Sequence, residues 1–215
     1  MNRTLLAAAA LAGAALASSA AAQDFKPITK GTFIVDVRVS DVSPDASSAI
    51  TTAAGAATGL HVTVSDSVMP TLGFTYFLTD HIGLEAILGT TNHEIFAEGT
   101  GVKVKVRDTW VLPPVVALQY HFLPGSRFNP YVGAGVNAML FYGGGNDNGY
   151  HVAVKNGVGA ALQAGFHYSV SGPWLANVDV KKVFFSTDAS INSEALKSNV
   201  NLDPWVFSVG LGRRF

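Results

Sequence analysis

A strict alternation of apolar with small or polar residues, clearest in residues 202–215, limits the folds open to this chain more than any other feature. The apolar side chains there occupy odd-numbered positions: Trp205, Phe207, Val209, Leu211 and Phe215. Successive side chains of a β-strand point to opposite faces, so the segment is predicted to be a strand with one apolar face. The other face carries small, polar or charged residues, which bury little apolar surface in a protein core: Ser208, Gly210, Gly212 and Arg214. The apolar face is therefore predicted to contact lipid, and the opposite face to line a narrow lumen.

Seven earlier segments repeat this period of two, at residues 33–39, 72–78, 82–88, 116–122, 132–140, 158–168 and 176–180. Short connections near residues 79–81, 123–128 and 171–173 alternate with long ones at 40–66, 91–103, 143–155 and 187–202. Short turns on one side and long loops on the other are typical of outer-membrane barrels. The predicted fold is all-β, an eight-stranded antiparallel transmembrane β-barrel with short periplasmic turns and longer extracellular loops.

A soluble, lipocalin-like barrel is the alternative, with the apolar face turned inward. The face that would then meet water carries six ionisable residues: Asp36, Arg38, Glu85, Asp179, Lys181 and Arg214. Aromatic residues cluster at the strand ends, as they do in the interface girdles of membrane barrels, and Phe215 ends the chain. These features favour the membrane barrel.

The N-terminus predicts export. A positive charge at Arg3 precedes an Ala/Leu run at residues 5–16, and three alanines at 20–22 fit a small-residue cleavage site. This pattern is typical of a secretory signal peptide, and its apolar part is short for a spanning helix. The predicted organisation is a signal peptide at residues 1–22 and an outer-membrane β-barrel domain at residues 23–215. The predicted location is the outer membrane of a Gram-negative bacterium, reached through the periplasm.

The composition excludes several classes of function. The chain has no cysteine, which excludes a disulfide scaffold and thiol or cysteine-zinc chemistry. A formal net charge of -1 without a dense Lys/Arg patch argues against nucleic acid as a partner. Four histidines lie outside the alternating segments without the paired spacing of metal ligands: His61, His81, His93 and His151. No metal site and no cofactor are predicted.

Four stretches are similar to the OmpW family of small outer-membrane barrels: residues 112–122, 129–137, 159–168 and 202–207. The most specific pieces are Leu112-Pro113-Pro114 and Leu202-Asp203-Pro204-Trp205. The resemblance implies an eight-stranded barrel and a role in letting small hydrophobic molecules cross the outer membrane. Two positions depart from the family pattern. Val158 stands where some relatives carry a tryptophan that narrows the lumen, and Arg213 stands where outer-membrane strands commonly have an aromatic residue.

The predicted inward face divides into two halves. The half nearer the long loops is apolar, and its predicted ligand-binding residues are Met69, Ile87, Val111, Val115, Met139, Phe141 and Val158. The half nearer the short turns is a predicted polar plug containing the six ionisable residues named above. An eight-stranded barrel is barely wide enough for its own side chains, so water-soluble solutes are expected to find no open path. A hydrophobic molecule would gain nothing by passing the charges, so lateral exit into the bilayer is the predicted route.

Pro113 and Pro114 mark the predicted lateral exit. Neither can donate a ladder hydrogen bond, and prolines in sheets are confined to edges or irregular places. The pair is therefore expected to open a gap between the fourth strand and a neighbour. The alternative is that the prolines only shape the outer end of that strand.

Other functions compete with transport. One alternative is a structural barrel, or a surface receptor or adhesin acting through its loops. Another is a lipid-modifying enzyme with Ser208 beside His121 or His167, but no Gly-x-Ser-x-Gly elbow is present and the chain is predicted not to be an enzyme. The predicted partners are outer-membrane lipids, small hydrophobic solutes and the barrel-assembly machinery, the last through the C-terminal strand that ends at Phe215.

Overall fold

The computed structural model describes residues 25–192 and 195–215, so the predicted signal peptide lies outside the described residues. Its strands are β1 (Phe33–Ser43), β2 (Ser48–Thr52), β3 (Ala57–Val64), β4 (Ser67–Phe77), β5 (Ile82–Gly89), β6 (Thr91–Gly99), β7 (Val102–Leu112), β8 (Val115–His121), β9 (Phe128–Tyr142), β10 (Val152–Val154), β11 (Gly157–Ser171), β12 (Trp174–Phe184), β13 (Ser186–Ile191), β14 (Leu196–Asn201) and β15 (Trp205–Arg214). Within these ranges there is no helix long and apolar enough to cross a membrane.

Eight of the strands close into an antiparallel barrel, which confirms the predicted fold. Around the barrel they follow the order β1, β4, β5, β8, β9, β11, β12 and β15. The ring closes where β15 pairs with β1, for example with Gly212 opposite Asp36. All eight segments with a period of two in the sequence correspond to these barrel strands.

Burial along the barrel strands is the reverse of that in a soluble barrel. Val37 and Leu211 are 58% and 61% exposed on the outer face, whereas Asp36 and Arg38 are 1% exposed on the inner face. A continuous apolar exterior around a charged interior is stable where the surroundings are lipid. The soluble alternative therefore does not fit the fold.

The long connections, expected to be loops, consist largely of further strands. A second sheet runs in the order β10, β13, β14, β2, β3, β6 and β7 and joins the barrel at β9. β7 and β8 follow one register along β9, with Leu112 opposite Leu140 and Val115 opposite Asn137. The second sheet, called the extension below, therefore continues the barrel wall beyond one rim. That rim is called the hairpin end, and the opposite rim the turn end.

An apolar cluster fills the interior of the extension. Each of its seven strands contributes one buried side chain: Ile50, Val62, Ile95, Val106, Val152, Ile191 and Val200. Burying an aliphatic side chain of this size contributes about 1.5–3 kcal/mol. Burial of one inward apolar residue from each strand thus helps to explain why these segments form a sheet instead of loops.

The segment that precedes β1 crosses the turn end. Ile28 is buried against Ile34, Phe77 and Leu175. Its backbone N–H donates to the carbonyl oxygen of Pro124 at 2.9 Å. The turn end of the barrel is therefore covered by the chain itself.

Candidate ligand-binding cavity and ion-paired layer

A cavity of about 90 Å³ lies inside the barrel toward the hairpin end. Six of the seven predicted ligand-binding residues line it: Met69, Ile87, Val111, Val115, Met139 and Phe141. Met69, Val115 and Met139 are each at most 6% exposed and come from β4, β8 and β9. Side chains from separate strands therefore converge on one apolar space, the usual chemistry of a small-molecule site.

Val158 is outside this cavity, and its predicted lumen position is wrong. Its side chain is 80% exposed on the outer face of β11. Its neighbour Gly157 faces inward, where an added Cβ would lie 2.9 Å from the ring of Phe185. The period of two places Val158 outward. Val158 was assigned to the lumen from the family resemblance, whereas the alternation of the strand gives its correct face.

The cavity continues into the extension, which the sequence did not predict. All seven members of the extension's apolar cluster line it. Short runs of alternating apolar and polar residues within the long connections could have identified these cavity residues. Val104 and Val106, for example, alternate with Lys103 and Lys105, and Val106 is 2% exposed.

The end of the cavity nearer the middle of the barrel is polar and is called the polar floor. Its residues are Ser40, Thr71, Asn137, Lys181 and Ser208. The hydroxyl oxygen of Ser40 lies 2.8 Å from that of Thr71 and 2.7 Å from that of Ser208. Asn137 Nδ2 donates to the carbonyl oxygen of Pro114 at 3.1 Å. The cavity is thus amphipathic along its length.

Five of the predicted plug residues form one network, called the ion-paired layer. Arg38 Nη2 lies 2.7 Å from Glu85 Oε1, and Lys181 Nζ lies 3.4 Å from Glu85 Oε2. Asp36 pairs with Arg38, and Asp179 pairs with Lys181. All five side chains are at most 3% exposed. Buried charges need partners of this kind, and the three carboxylates exceed the two cations by one negative charge.

Glycines on the inner face make room for the ion-paired layer. A Cβ at Gly73 would lie 2.5 Å from Asp36 Oδ1, and one at Gly210 would lie 2.8 Å from Arg38 Cγ. Tyr131 donates its hydroxyl to Asp179 Oδ2 at 2.8 Å from the neighbouring wall. Side chains therefore occupy the lumen at this level, as expected for a barrel of eight strands.

Arg214, the sixth predicted plug residue, lies apart from the ion-paired layer. Its guanidinium donates to the carbonyl oxygen of Lys26 and, at 3.0 Å, to that of Gly172. It thereby fastens the segment before β1 to the turn end. Its inward, buried position near the short turns is the predicted one, but its partners are carbonyl oxygens at the rim and not the charged residues of the layer.

The residues of the enzyme alternative do not assemble as a nucleophile and its base. His121 contacts Gln119 Oε1 through Nε2 at 3.0 Å and Asn129 through Nδ1 at 3.1 Å. Its ring stacks on that of His167 with centroids 5.6 Å apart. Ser208 lies at the polar floor, where its hydroxyl contacts Ser40.

Pro113 and Pro114 separate β7 from β8 and interrupt the pairing with β5 and β6. The last pair on one side of the interruption is Ile87 with Val115, and the first on the other side is Thr91 with Val111. The shared register places residues 88–90 opposite residues 112–114 without a ladder pair between them.

The ladder with β9, on the other edge of the proline segment, is also interrupted, between Leu112 opposite Leu140 and Val115 opposite Asn137. That edge keeps a backbone hydrogen bond, because Ala138 N–H of β9 donates to the carbonyl oxygen of Pro114 at 3.0 Å. Across the interruption, the hydroxyl of Thr90 donates to the carbonyl oxygen of Val111 at 3.2 Å. The wall is therefore thinned between β5 and β8, and a single side chain bridges the gap.

His93 of β6 is a cavity residue that the sequence assigned to a solvated loop. It is 5% exposed, and its Nδ1 lies 2.7 Å from the carbonyl oxygen of Ser65. Burial lowers the pKa of His93 below its ordinary value, against the smaller opposing effects of Ser65 and Asp66. Over residues 25–192 and 195–215, no group of three potential metal ligands forms.

Comparison with known proteins places this geometry among outer-membrane barrels. The model of the OmpW family matches residues 29–215. The uncharacterized outer-membrane protein y4mB of Sinorhizobium fredii is 44% identical over 161 residues, which cover 73% of this chain and 70% of the relative. The crystal structure of the outer membrane protein OprG from Pseudomonas aeruginosa matches with a TM-score of 0.83 at 31% identity, covering 89% of this chain and 99% of that chain. The dibenzothiophene metabolism operon protein PahQ of Pseudomonas aeruginosa is 27% identical over 154 residues, 70% of this chain and 73% of the relative.

Proposed function

The chain belongs to the OmpW family and lies in the outer membrane of a Gram-negative bacterium, and from that premise we propose that it binds small hydrophobic molecules and passes them into the membrane. The observation that carries the proposal is the apolar cavity at the hairpin end, closed below by the ion-paired layer. A hydrophobic solute is stabilised in the cavity and would lose that stabilisation among buried charges. The cavity is therefore a binding site without a favourable path through the lumen.

Lateral exit resolves this difficulty. Ile87, Val111 and Val115 line the cavity, and the same three residues flank the interrupted ladder at Pro113 and Pro114. A solute in the cavity is thus directly behind a part of the wall where the backbone ladder is interrupted. Opening there requires breaking the Thr90 bridge instead of a run of ladder bonds.

The name of one relative supports an apolar cargo. PahQ is named for an operon of dibenzothiophene metabolism, and dibenzothiophene is a water-insoluble aromatic compound. In this proposal the chain acts by binding and release without catalysis. Its further partners are the lipids around the outer face and the assembly machinery that binds the strand ending at Phe215.

The binding step is tested by uptake of a nonpolar dye into liposomes that contain the protein. Met139→Asp places a charge in the cavity and is expected to abolish the acceleration of dye entry, and Val115→Asp is expected to do the same. Met139→Leu keeps an apolar side chain of similar volume and is the matched control, expected to behave as wild type. Equal entry with wild type, with both charged variants and without protein would refute the proposal.

The exit step is tested by closing the gap with a disulfide. Thr90→Cys combined with Leu112→Cys places two thiols at opposing positions in a chain that has no other cysteine. The hydroxyl of Thr90 already lies 3.2 Å from the carbonyl oxygen of Val111 across the interruption, so the two chains approach closely enough here for a disulfide. Oxidation is expected to slow dye entry and reduction to restore it. The single Thr90→Cys variant is the control, and dye entry through it is expected to be the same under both conditions. Full entry through the oxidised protein would exclude exit between β5 and β8.

A further inference from the structure

Asn137 presents an unpaired acceptor at the polar floor. The residue is 1% exposed, and its Oδ1 has no hydrogen-bond partner among the described residues. The orientation of the amide is fixed, because Nδ2 donates to Pro114 O at 3.1 Å and a flipped amide would bring two oxygens together. A buried acceptor without a donor costs about 1–3 kcal/mol. Asn137 therefore favours an occupant of the cavity that carries a donor.

The charges at the floor decide which kind of donor fits. An anionic head group would add to a layer that already has three carboxylates against two cations. A cationic head group would face the ammonium of Lys181, which itself lines the cavity. Both charged classes are disfavoured in a buried site, whereas a neutral head group meets neither penalty.

Among alcohols, ketones, aldehydes and ethers, the hydroxyl of an alcohol matches the floor best. A hydroxyl has one donor and two acceptor positions, whereas a ketone, an aldehyde or an ether has no donor for Asn137. Donors for the hydroxyl oxygen are also present. Lys181 has three N–H donors and contacts two carboxylates, Asp179 and Glu85, and Ser40 and Ser208 add hydroxyls.

We propose that the cavity selects neutral aliphatic alcohols, with the hydroxyl on the polar floor and the hydrocarbon chain along the apolar wall toward the extension. The hydroxyl donates to Asn137 Oδ1, and the chain lies against residues such as Val111 and Met139. This inference rests on the proposed function and specifies its substrate class. It separates alcohols from alkanes, which leave Asn137 unpaired, and from fatty acids, whose carboxylates add charge.

The experiment measures saturable binding of 1-octanol, n-octane and octanoate to the protein in lipid nanodiscs, with protein-free nanodiscs subtracted. Wild type is expected to bind 1-octanol about three- to tenfold more tightly than n-octane, the factor for one net hydrogen bond. Asn137→Leu keeps the shape of the side chain without its polar atoms and is expected to remove this preference while n-octane binding stays. Asn201→Leu, exposed and outside the cavity, is the matched control and keeps the preference.

The outcomes separate this inference from the proposed function. Saturable n-octane binding without a preference for 1-octanol, tighter binding of octanoate, or a preference that survives Asn137→Leu overturns the alcohol site and leaves the conduit intact. No saturable binding of any probe to wild type overturns both. If Asn137→Leu does not fold, the ¹⁵N resonance of the Asn137 amide in wild type gives the answer. It is expected to shift saturably with 1-octanol and to stay unchanged with n-octane, and equal responses to the two probes would overturn the site.

Discussion

Arg38 Nη2 lies 2.7 Å from Glu85 Oε1 with both side chains fully buried, and the contact joins β1 to β5 across the barrel interior. Glu85 Oε2 extends it to Lys181 of β12 at 3.4 Å. One carboxylate thus connects three strands that are not neighbours in the barrel. The layer that closes the lumen therefore also links non-adjacent strands and stabilises the barrel wall.

Glu85→Ala is expected to destabilise the barrel strongly, because it leaves the Arg38 guanidinium buried without one of its carboxylates. Removing one partner of a buried ion pair typically costs about 3–5 kcal/mol. The measurement is the free energy of unfolding in urea for the protein in lipid vesicles. Lys155→Ala is the control, since its pair with Asp188 at 3.3 Å is 76% and 61% exposed and such surface pairs contribute about 0–1 kcal/mol. Similar losses for the two variants would show that the buried layer carries no special stability.

Gly73→Ala is expected to disturb the same layer by overpacking. The new Cβ would lie 2.5 Å from Asp36 Oδ1 and 2.8 Å from Arg38 Nη2, so the ion pair must move. Overpacking of this kind costs about 1–3 kcal/mol. Gly125→Ala, where nothing lies within 4 Å of the added atom, is the matched control for urea unfolding. An unchanged midpoint for Gly73→Ala would mean that the lumen is less tightly filled than the structure has it.

The sequence predicted the barrel because lipid outside and a lumen inside impose a period of two along every spanning strand. It identified Asp36, Arg38 and Glu85 as inward for the same reason. It could not predict that Arg38 meets Glu85, because a contact between β1 and β5, 47 residues apart, depends on the stagger of strands around the barrel. The separation of Arg214 from the other five charged residues was unpredictable for a related reason, because the alternation gives the face of a residue but not its height along the barrel axis.

Some strands of the extension escaped prediction because they are short, and β2 and β3 lie in a segment rich in Ala, Ser, Thr and Gly. β2 has five residues and β10 has three, too few for a period of two to stand out. Their pairing depends instead on inward residues such as Ile50 and Val152, which meet only after the hairpins have assembled. The upper part of the cavity was missed together with these strands.

The stability of the extension is expected to fall in mild acid because of His93. The ordinary pKa of histidine is about 6.5, and burial lowers the pKa of His93 in the folded protein. As the pH drops below about 6.5, the unfolded segment binds a proton that the folded one excludes, so stability present above that pH is progressively lost. Amide hydrogen exchange in β6 is therefore expected to rise between about pH 7 and pH 5, by at most about tenfold per pH unit for one proton.

His93→Gln removes the titrating group and is expected to flatten this dependence after correction for intrinsic exchange. His151→Gln is the matched control, since His151 is exposed beside β10 and its replacement should leave the wild-type profile in β6 unchanged. A profile that keeps its slope in His93→Gln would assign the effect to groups other than His93.

The outward position of Val158 predicts opposite environments for two single-cysteine variants. Val158→Cys carries a nitroxide label on the outer face, where the native side chain is 80% exposed, and Met139→Cys carries one at a cavity position that is 5% exposed. No native cysteine competes for the label. In lipid vesicles, oxygen dissolved in the bilayer is expected to relax the label at position 158 strongly, while the label at 139 is immobilised and shielded. An immobilised label at 158 would instead return that residue to the lumen.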